Sequence, residues 1–430
     1  MLDRLFSHPI DIVMIPIQGL IFFITLYFFL ISLPGLYRKS EKKVLTPSKT
    51  FAVVVAAHNE EAVIAPLIDN LVSLDYPKSM FDVFVVADNC SDDTATIARR
   101  HGAKVFERFD LTKKSKGYAL EWVFPKIFAL DKHYDAVVIF DADNLVKENF
   151  LLEMNSSLCQ GNKIIQGYID AKNPNDNWVT GTFALAFWQS DRMLQLGHQN
   201  LGLTNTLGGT GMCIDVDTLK RYGWGAYSLT EDLEFSVKAL ADGLHTSWAH
   251  DAVVYDEKAS TFMQAWRQRV RWTQGRVDVM MRYMGRMFWS GIKEMDLNKI
   301  DMAIHLFQPF FILITTFHMI VTFLATFDGM AFLRYSSILP VGIWTIVGLF
   351  QWFYPALCLF LDHRPLVNYK WLVPYPLFIY LWVPITFVGF LRYRQKEWTH
   401  TVHTRNMSYG DLHGSSKSTS VTPAKQISQG

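Results

Sequence analysis

Residues 136–144 read AVVIFDADN. Five apolar residues in succession, with Val137, Val138 and Ile139 β-branched, have the form of a strand buried on both faces. The run ends in Asp141-Ala142-Asp143, so two carboxylates spaced D-x-D stand at its carboxyl end. The same form recurs upstream, as FAVVVAA at 51–57 and DVFVVAD at 82–88. Residues 59–74 read as a helix, Asp92 or Asp93 caps a helix running to Arg100, and residues 116–130 make a third. Strands alternating with helices predict an α/β domain of Rossmann-like, mostly parallel construction. In such sheets ligands gather at the carboxyl ends of the strands. His58, Asn59, Glu60, Asp88, Asp141 and Asp143 all fall there.

The flanks have a different character. Of the 430 residues half are hydrophobic and 19% are charged, below the roughly 25% usual for soluble domains. The deficit is local. Uncharged runs cover 12–37, 302–327, 335–361 and 371–391, and each has the roughly 20 residues that cross a bilayer core as a helix. The expected organisation is an N-terminal transmembrane helix within 1–37 and a cytoplasmic domain at 45–260. Amphipathic interface helices at 261–300 and transmembrane helices at 302–393 follow, then a polar segment at 394–430 with a disordered tail from Gly414. The first run is too long for a signal-peptide core and has no small-residue cleavage site. Arg38, Lys39, Lys42 and Lys43 follow it, which puts the domain in the cytoplasm of a multi-pass cell-membrane protein. Topology holds one conflict. Three later spans leave the C-terminus outside, whereas Arg392, Arg394 and Lys396 favour the inside. Pro374, Pro376 and Pro384 interrupt the last run, which therefore bends or re-enters. A net charge of +1 and a membrane setting exclude nucleic acid as a partner; the sequence names no accessory protein. Cys90, Cys159, Cys213 and Cys358 show no CxxC spacing, so neither disulfides nor a zinc site are expected.

Three constellations carry chemistry. Asp141 and Asp143 suit Mg²⁺ or Mn²⁺, because hard cations prefer oxygen ligands and can bridge the phosphates of a nucleotide donor. The same two residues also simply end a strand. In YSLTEDLEFSVKALADG at 227–243, Leu233, Val237 and Leu240 repeat at helical spacing. Thr230 or Ser228 caps that helix, and Ser228-x-x-Glu231 fits a capping box. Glu231 and Asp232 then either complement the helix dipole or supply a general base. In RQRVRWTQGR at 267–276, positions i, i+3 and i+4 bring Gln268, Arg271 and Trp272 to one helical face. Arg binds a diphosphate bidentately, and Trp is a flat platform for a sugar ring. Arg267, Arg269 and Arg276 are expected elsewhere on the helix, facing lipid or other phosphates.

Taken together, VVAAHNEE, ADNCSDDT, KGYAL, FDADN, GGTGM, TED and QRVRW, in this order over about 51–275, resemble the family 2 glycosyltransferases. The likeness is to the membrane-embedded processive synthases of cellulose, chitin and hyaluronan, and in particular to bacterial synthases of cellulose-like or mixed-linkage β-glucan. The resemblance implies a GT-A fold and inverting transfer from a UDP-sugar, UDP-glucose above all, to a growing polysaccharide. It implies that His58, Glu60, Asp88, Lys116, Asp141, Gln268 and Arg271 bind the donor. Asp143 and Asp141 would hold the metal, with Asp143 the principal ligand. Thr230, Glu231 and Asp232 would be catalytic, with Asp232 the base. Trp272, Gly209, Thr210 and Gly211 would meet the acceptor. The later helices would form a polymer channel. LGGTGM at 207–212 stands where cellulose synthases usually carry an FFCGS-like stretch. TED rather than EDR points to glucan or poly-N-acetylglucosamine synthases. No cyclic-dinucleotide domain follows the spans, so no such switch is expected within the chain. Trp398 to Thr401 are expected in a loop gating the donor site. A poly-N-acetylglucosamine or hyaluronan-type synthase is an alternative within the same class, and two alternatives of other classes remain. One is a transferase adding a single sugar to a membrane lipid, as ceramide glucosyltransferases do, and the other is a non-enzymatic receptor or carrier.

Overall fold

Phe51, Val53 and Val55 pack into one hydrophobic cluster, and Ala52 and Val54 into another on the opposite side. This is why the run FAVVVAA carries no polar residue: its strand has layers on both faces. The structure, a computed structural model, describes residues 7–40, 43–395, 403 and 405–412, with the side chains at 341 and 345–352 left aside. The predicted tail from Gly414 and the predicted gating residues Trp398 to Thr401 lie outside the described residues.

The chain enters through α1 (Asp11–Ser32) and then builds the domain. Its strands are β1 (Phe51–Ala57), β2 (Phe81–Asp88), β3 (Lys104–Arg108), β4 (Ala136–Asp141), β5 (Leu145–Val146), β6 (Ile164–Ala171), β7 (Met212–Asp215) and β8 (Thr246–Asp256). Between them run α2 (Ile64–Ser73), α3 (Thr94–Arg100), α4 (Lys116–Phe128), α5 (Phe150–Cys159), α6 (Trp178–Gln189), α7 (Leu196–Leu201), α8 (Val216–Tyr222) and α9 (Glu231–Ala241). After β8 come α10 (Phe262–Glu294), α11 (Leu297–Leu306), α12 (Gln308–Leu324), α13 (Val341–Leu361), α14 (Tyr375–Tyr380), α15 (Trp382–Arg392) and the short α16 (Tyr409–Leu412).

The described strands form one sheet in the order β3-β2-β1-β4-β7-β6-β8-β5. The expectation of a mostly parallel sheet is corrected to a mixed one. The β1–β2, β1–β4, β2–β3 and β6–β8 pairs are parallel, but β7 runs antiparallel to both β4 and β6, and β5 antiparallel to β8. The antiparallel strands are the two- and four-residue pieces LV and MCID, too short to show a period. The first helix also differs. It starts at Ile64 rather than 59, because Asn59 takes a left-handed backbone (φ 54°) and turns the chain beside the strand ends.

Among the described residues two helices are long and apolar enough to cross a membrane, Asp11–Leu36 and Tyr375–Arg392. The 302–327 run is divided between α11 and α12, which meet at a bend of 53° and are a candidate third span. The 335–361 run contains α13. In the proline-interrupted last run, α14 and α15 meet at Leu381, whose backbone stays helical, so Tyr375–Arg392 continues as one helix. Trp371, Tyr375 and Phe378 pack with Phe183 and Trp188 of α6 in one cluster, so the C-terminal segment docks directly on the sheet domain.

That docking is close enough to test. A methyl group on Gly181 would lie 2.2 Å from the Trp371 indole, whereas one on Gly285 would meet nothing within 4 Å. Gly181→Ala is expected to destabilise by about 1–3 kcal/mol through overpacking. Gly285→Ala should be neutral or stabilising by up to about 1 kcal/mol through helix propensity. Thermal unfolding of the detergent-solubilised chain reads both.

Candidate active site

The carboxyl ends of β1, β2 and β4 open onto one cavity of about 2360 Å³. Two asparagines in the left-handed conformation shape its rim. Asn59 (φ 54°) accepts the Ser91 N–H at 2.8 Å, and Asn89 (φ 53°) accepts the Asp110 N–H at 2.8 Å. His58 Nδ1 bonds the Asp88 carbonyl oxygen at 2.7 Å. The Asp88 carboxylate accepts from Arg108 Nη1 at 2.6 Å. Burial raises the Asp88 carboxyl above its ordinary value, and the Arg108 guanidinium only partly opposes this. Glu60 is ion-paired with His403 at 3.0 Å.

The D-x-D loop is held from behind. Asn144 Oδ1 accepts the Asp141 N–H at 3.0 Å and also the Thr210 hydroxyl, and Asp141 N–H reaches Thr210 Oγ1 at 3.2 Å. Lys116, at the start of α4, joins the Asp141 carboxylate to the Gly209 carbonyl. Burial alone would depress its ammonium, but Asp141, Glu231 and Asp232 hold it raised. Asp143 Oδ2 accepts the Glu257 N–H at 2.9 Å. Burial would raise the Asp143 carboxyl, yet His403 and Lys172 outweigh it and the net shift is downward. Asp143 is thus kept as the anion.

Thr230, Glu231 and Asp232 stand at the start of α9. Burial pushes the Glu231 carboxyl up to about 7, with Asp232 adding repulsion and Lys116 opposing. The Asp232 carboxyl is also raised, first by burial. The expected capping box is absent. The Ser228 hydroxyl is buried without a partner among the described residues. The N–H groups of Tyr227 and Ser228 instead donate to Glu234 Oε2 at 3.0 and 2.8 Å. Glu234, one turn in, reaches back because Arg282 of α10 holds its other oxygen at 2.6 Å.

Helix α10 lies against this corner. A side chain on Gly275 would come within 2.7 Å of the Thr230 nitrogen and hydroxyl, so a glycine permits the contact. Gln268, Arg271 and Trp272 all line the cavity. Trp272 stacks on Phe183 at 5.6 Å between ring centres. Gln268 Oε1 is buried without a partner, and no ion pair or hydrogen bond reaches Arg271 among the described residues. The Arg271 guanidinium nevertheless feels Glu231, Asp141 and Asp232. Of the predicted acceptor residues, Gly209 and Thr210 line the cavity. Gly211 does not: its open side faces Val254, and its carbonyl accepts the Gly167 N–H.

Two arginines depart from expectation. Arg269 faces neither lipid nor phosphate; it is 1% exposed, 4.3 Å from the Phe378 ring centre and 5.5 Å from that of Trp382. The folding of α14 and α15 over that face buries it. Arg276 lines the cavity, and the helical period could have shown this, since 268, 272 and 276 are spaced i, i+4, i+8. Arg267 is exposed. Asn144, Arg108, Glu257 and His403 also escaped the sequence reading. Only Asn144 had a local signal, its place directly after the D-x-D.

The cavity does not end at the carboxylates. It continues past Arg276 to Phe22, Leu26 and Phe29 of α1 and to Phe311, Ile312 and Phe323 of α12.

Comparison with known proteins accords with this arrangement. Residues 47–275 match the family described as glycosyltransferase like family 2. The chain is 30% identical over 233 residues to a beta-monoglucosyldiacylglycerol synthase of Trichormus variabilis, covering 52% of this chain and 48% of that protein. It is 25% identical over 262 residues to a poly-beta-1,6-N-acetyl-D-glucosamine synthase of Staphylococcus epidermidis, covering 59% and 60%. These matches span about half to three fifths of the relatives' length. In fold, it is similar to a mannosyltransferase of Pyrobaculum calidifontis solved with GDP-Man and Mn²⁺, at a TM-score of 0.58 and 16% identity, over 89% of this chain and 98% of that one. The family match covers more than half of the residues, and with the GT-A-like fold around these carboxylates the chain belongs to glycosyltransferase like family 2.

Proposed function

We propose that this chain is a membrane enzyme transferring one sugar, with inversion, from a UDP-sugar to a hydroxyl of a lipid. The observation that carries the reading is the single cavity joining the Asp232 carboxylate to an apolar recess between α1 and α12. Phe22, Leu26, Phe29, Phe311, Ile312 and Phe323 on that side suit acyl chains. The likeness of the catalytic domain to beta-monoglucosyldiacylglycerol synthases supports the same reading, with UDP-glucose as donor.

In this mechanism Asp232 takes the proton of the acceptor hydroxyl as that oxygen attacks the anomeric carbon from the face opposite the leaving group. Arg271, without a hydrogen-bond or ion-pair partner among the described residues, meets the departing diphosphate, and Lys116 assists from the Asp141 side. Asp88, clamped by Arg108, lies where the nucleoside enters, and Trp272 underlies the acceptor. No group of three or more His, Cys, Asp or Glu is arranged to hold a metal among the described residues. Two carboxylates do suit a cation that completes its shell with substrate phosphates and water. Asp143, kept anionic, and Asp141 would hold Mg²⁺ or Mn²⁺, which would neutralise charge on the diphosphate.

Polymer synthesis is a second reading. Trp344, Tyr380 and Trp382 also line the cavity and offer ring platforms for sugars, and the poly-beta-1,6-N-acetyl-D-glucosamine synthases are relatives. Membranes given radiolabelled UDP-glucose and Mn²⁺ separate the two. A lipid-extractable product carrying one sugar is expected, and label retained as polymer would support the second reading.

Asp232→Asn should lower kcat about 10²–10⁴-fold, the usual contribution of a general base, while UDP binding measured by calorimetry persists. Near-normal turnover would remove Asp232 from that role.

The raised pair also sets a pH dependence. Activity should rise with pH along an acid limb near pH 7, where Glu231 loses its proton beside the Asp232 base. Glu231→Gln should move that limb down. Stability runs the other way. A carboxyl raised from 4.5 to about 7 binds its proton more tightly when folded, so its contribution falls as pH rises through that window. Melting temperature of the substrate-free enzyme against pH checks the sign, and Glu231→Gln should flatten the slope.

A further inference from the structure

One turn beyond Trp272, α10 places Arg276 on the membrane side of the catalytic carboxylates. Its guanidinium has two partners, Gln308 Oε1 at the start of α12 and His305 Nε2 at 3.3 Å on α11. Both are neutral groups: arginine can only donate, so Oε1 and Nε2 must each accept, and an accepting imidazole nitrogen carries no proton. This uses up the acceptors of the cluster. The Gln308 amide NH₂ and the remaining guanidinium N–H groups have no partner among the described residues, and both side chains line the cavity. What the cluster still offers is a set of N–H donors around a positive charge with no directly bonded carboxylate among the described residues. A guanidinium withdrawn from water between neutral partners leaves room for an anion.

Its position separates it from the donor site. Arg276 is bonded to His305 of α11 and Gln308 of α12, whereas no hydrogen bond or ion pair reaches Arg271 among the described residues. Arg276 therefore lies on the side of α10 that meets α11 and α12. The apolar recess of Phe29, Phe311 and Ile312 adjoins it. A ligand held here has its charged group on Arg276, its hydroxyl near Asp232 and its chains among those rings.

We infer that Arg276 and Gln308, braced by His305, form an acceptor subsite for the phosphate of an anionic lipid headgroup. The inference rests on the lipid-acceptor reading and deepens it, since it assigns the acceptor a charge and the chain a means of selecting it.

The test uses the full chain, with two readouts. In phosphatidylcholine vesicles carrying either phosphatidylglycerol or diacylglycerol, transfer of radiolabelled glucose gives kcat/KM for each acceptor. Arg276→Gln should lower the phosphatidylglycerol-to-diacylglycerol ratio by about tenfold or more, the loss of a hydrogen bond to a charged group. Arg276→Lys should keep part of it and Gln308→Leu should reduce it less. In detergent, phosphatidylglycerol should raise the melting temperature of the wild type more than phosphatidylcholine or inorganic phosphate does, and Arg276→Gln should abolish the difference. An unchanged ratio with a displaced acid limb would mean that Arg276 acts only through Asp232, and overturns the subsite. A matching loss of UDP affinity would assign Arg276 to the donor and also overturn it, as would equal stabilisation by inorganic phosphate. If no vesicle yields a lipid product but the selective stabilisation and its loss in Arg276→Gln remain, the transfer reading fails while the anion subsite stands.

Discussion

The contact on which the site depends is the one between Gly275 and Thr230. It lays a 33-residue helix, α10, across the corner where α9 begins. Because no side chain intervenes, the TED residues and the Gln268–Arg271–Trp272 face are held against each other, and both open onto one cavity. Arg282 and Glu234 close the same contact one helical turn away. The far face of α10 is sealed by α14 and α15, where Arg269 sits among Phe183, Phe378 and Trp382. A single helix thus joins the sheet domain, the carboxylates and the apolar C-terminal helices.

Charge within the cavity follows a consistent plan. Carboxylates that would repel one another are buried together, and Lys116 is raised in response. The two cavity arginines of α10 have no carboxylate partner among the described residues. Buried cations so placed are poorly satisfied until anions arrive. Both line the cavity, and Arg276 lies where α10 meets α11 and α12. The substrate-free protein is therefore organised around charges that its ligands would complete.

Much of the catalytic domain was legible in the chain because its signals are local. Continuous apolar runs marked β1, β2 and β4, and their ends placed Asp88, Asp141 and Asp143 at the rim of the cavity. Helical spacing grouped Gln268, Arg271 and Trp272. The mixed sheet was not legible, since MCID is four residues long and its direction is set only by the strands beside it. Arg269 was misassigned for a similar reason. An arginine beside apolar residues reads as a surface group, and only the folding back of α14 and α15 makes that face an interior.

The sequence by itself determined the family, the buried strands, the carboxylates at their ends and the apolar helices, because each depends on neighbours within a few residues. Tertiary structure decided what those residues face. It brought Arg108 to Asp88 and His403 to Glu60, and these partners stand 20 and 343 residues apart. It turned Gly211 away from the cavity and Arg276 into it. It also made the site continuous with an apolar recess, a property of how α1 and α12 pack that no local pattern encodes.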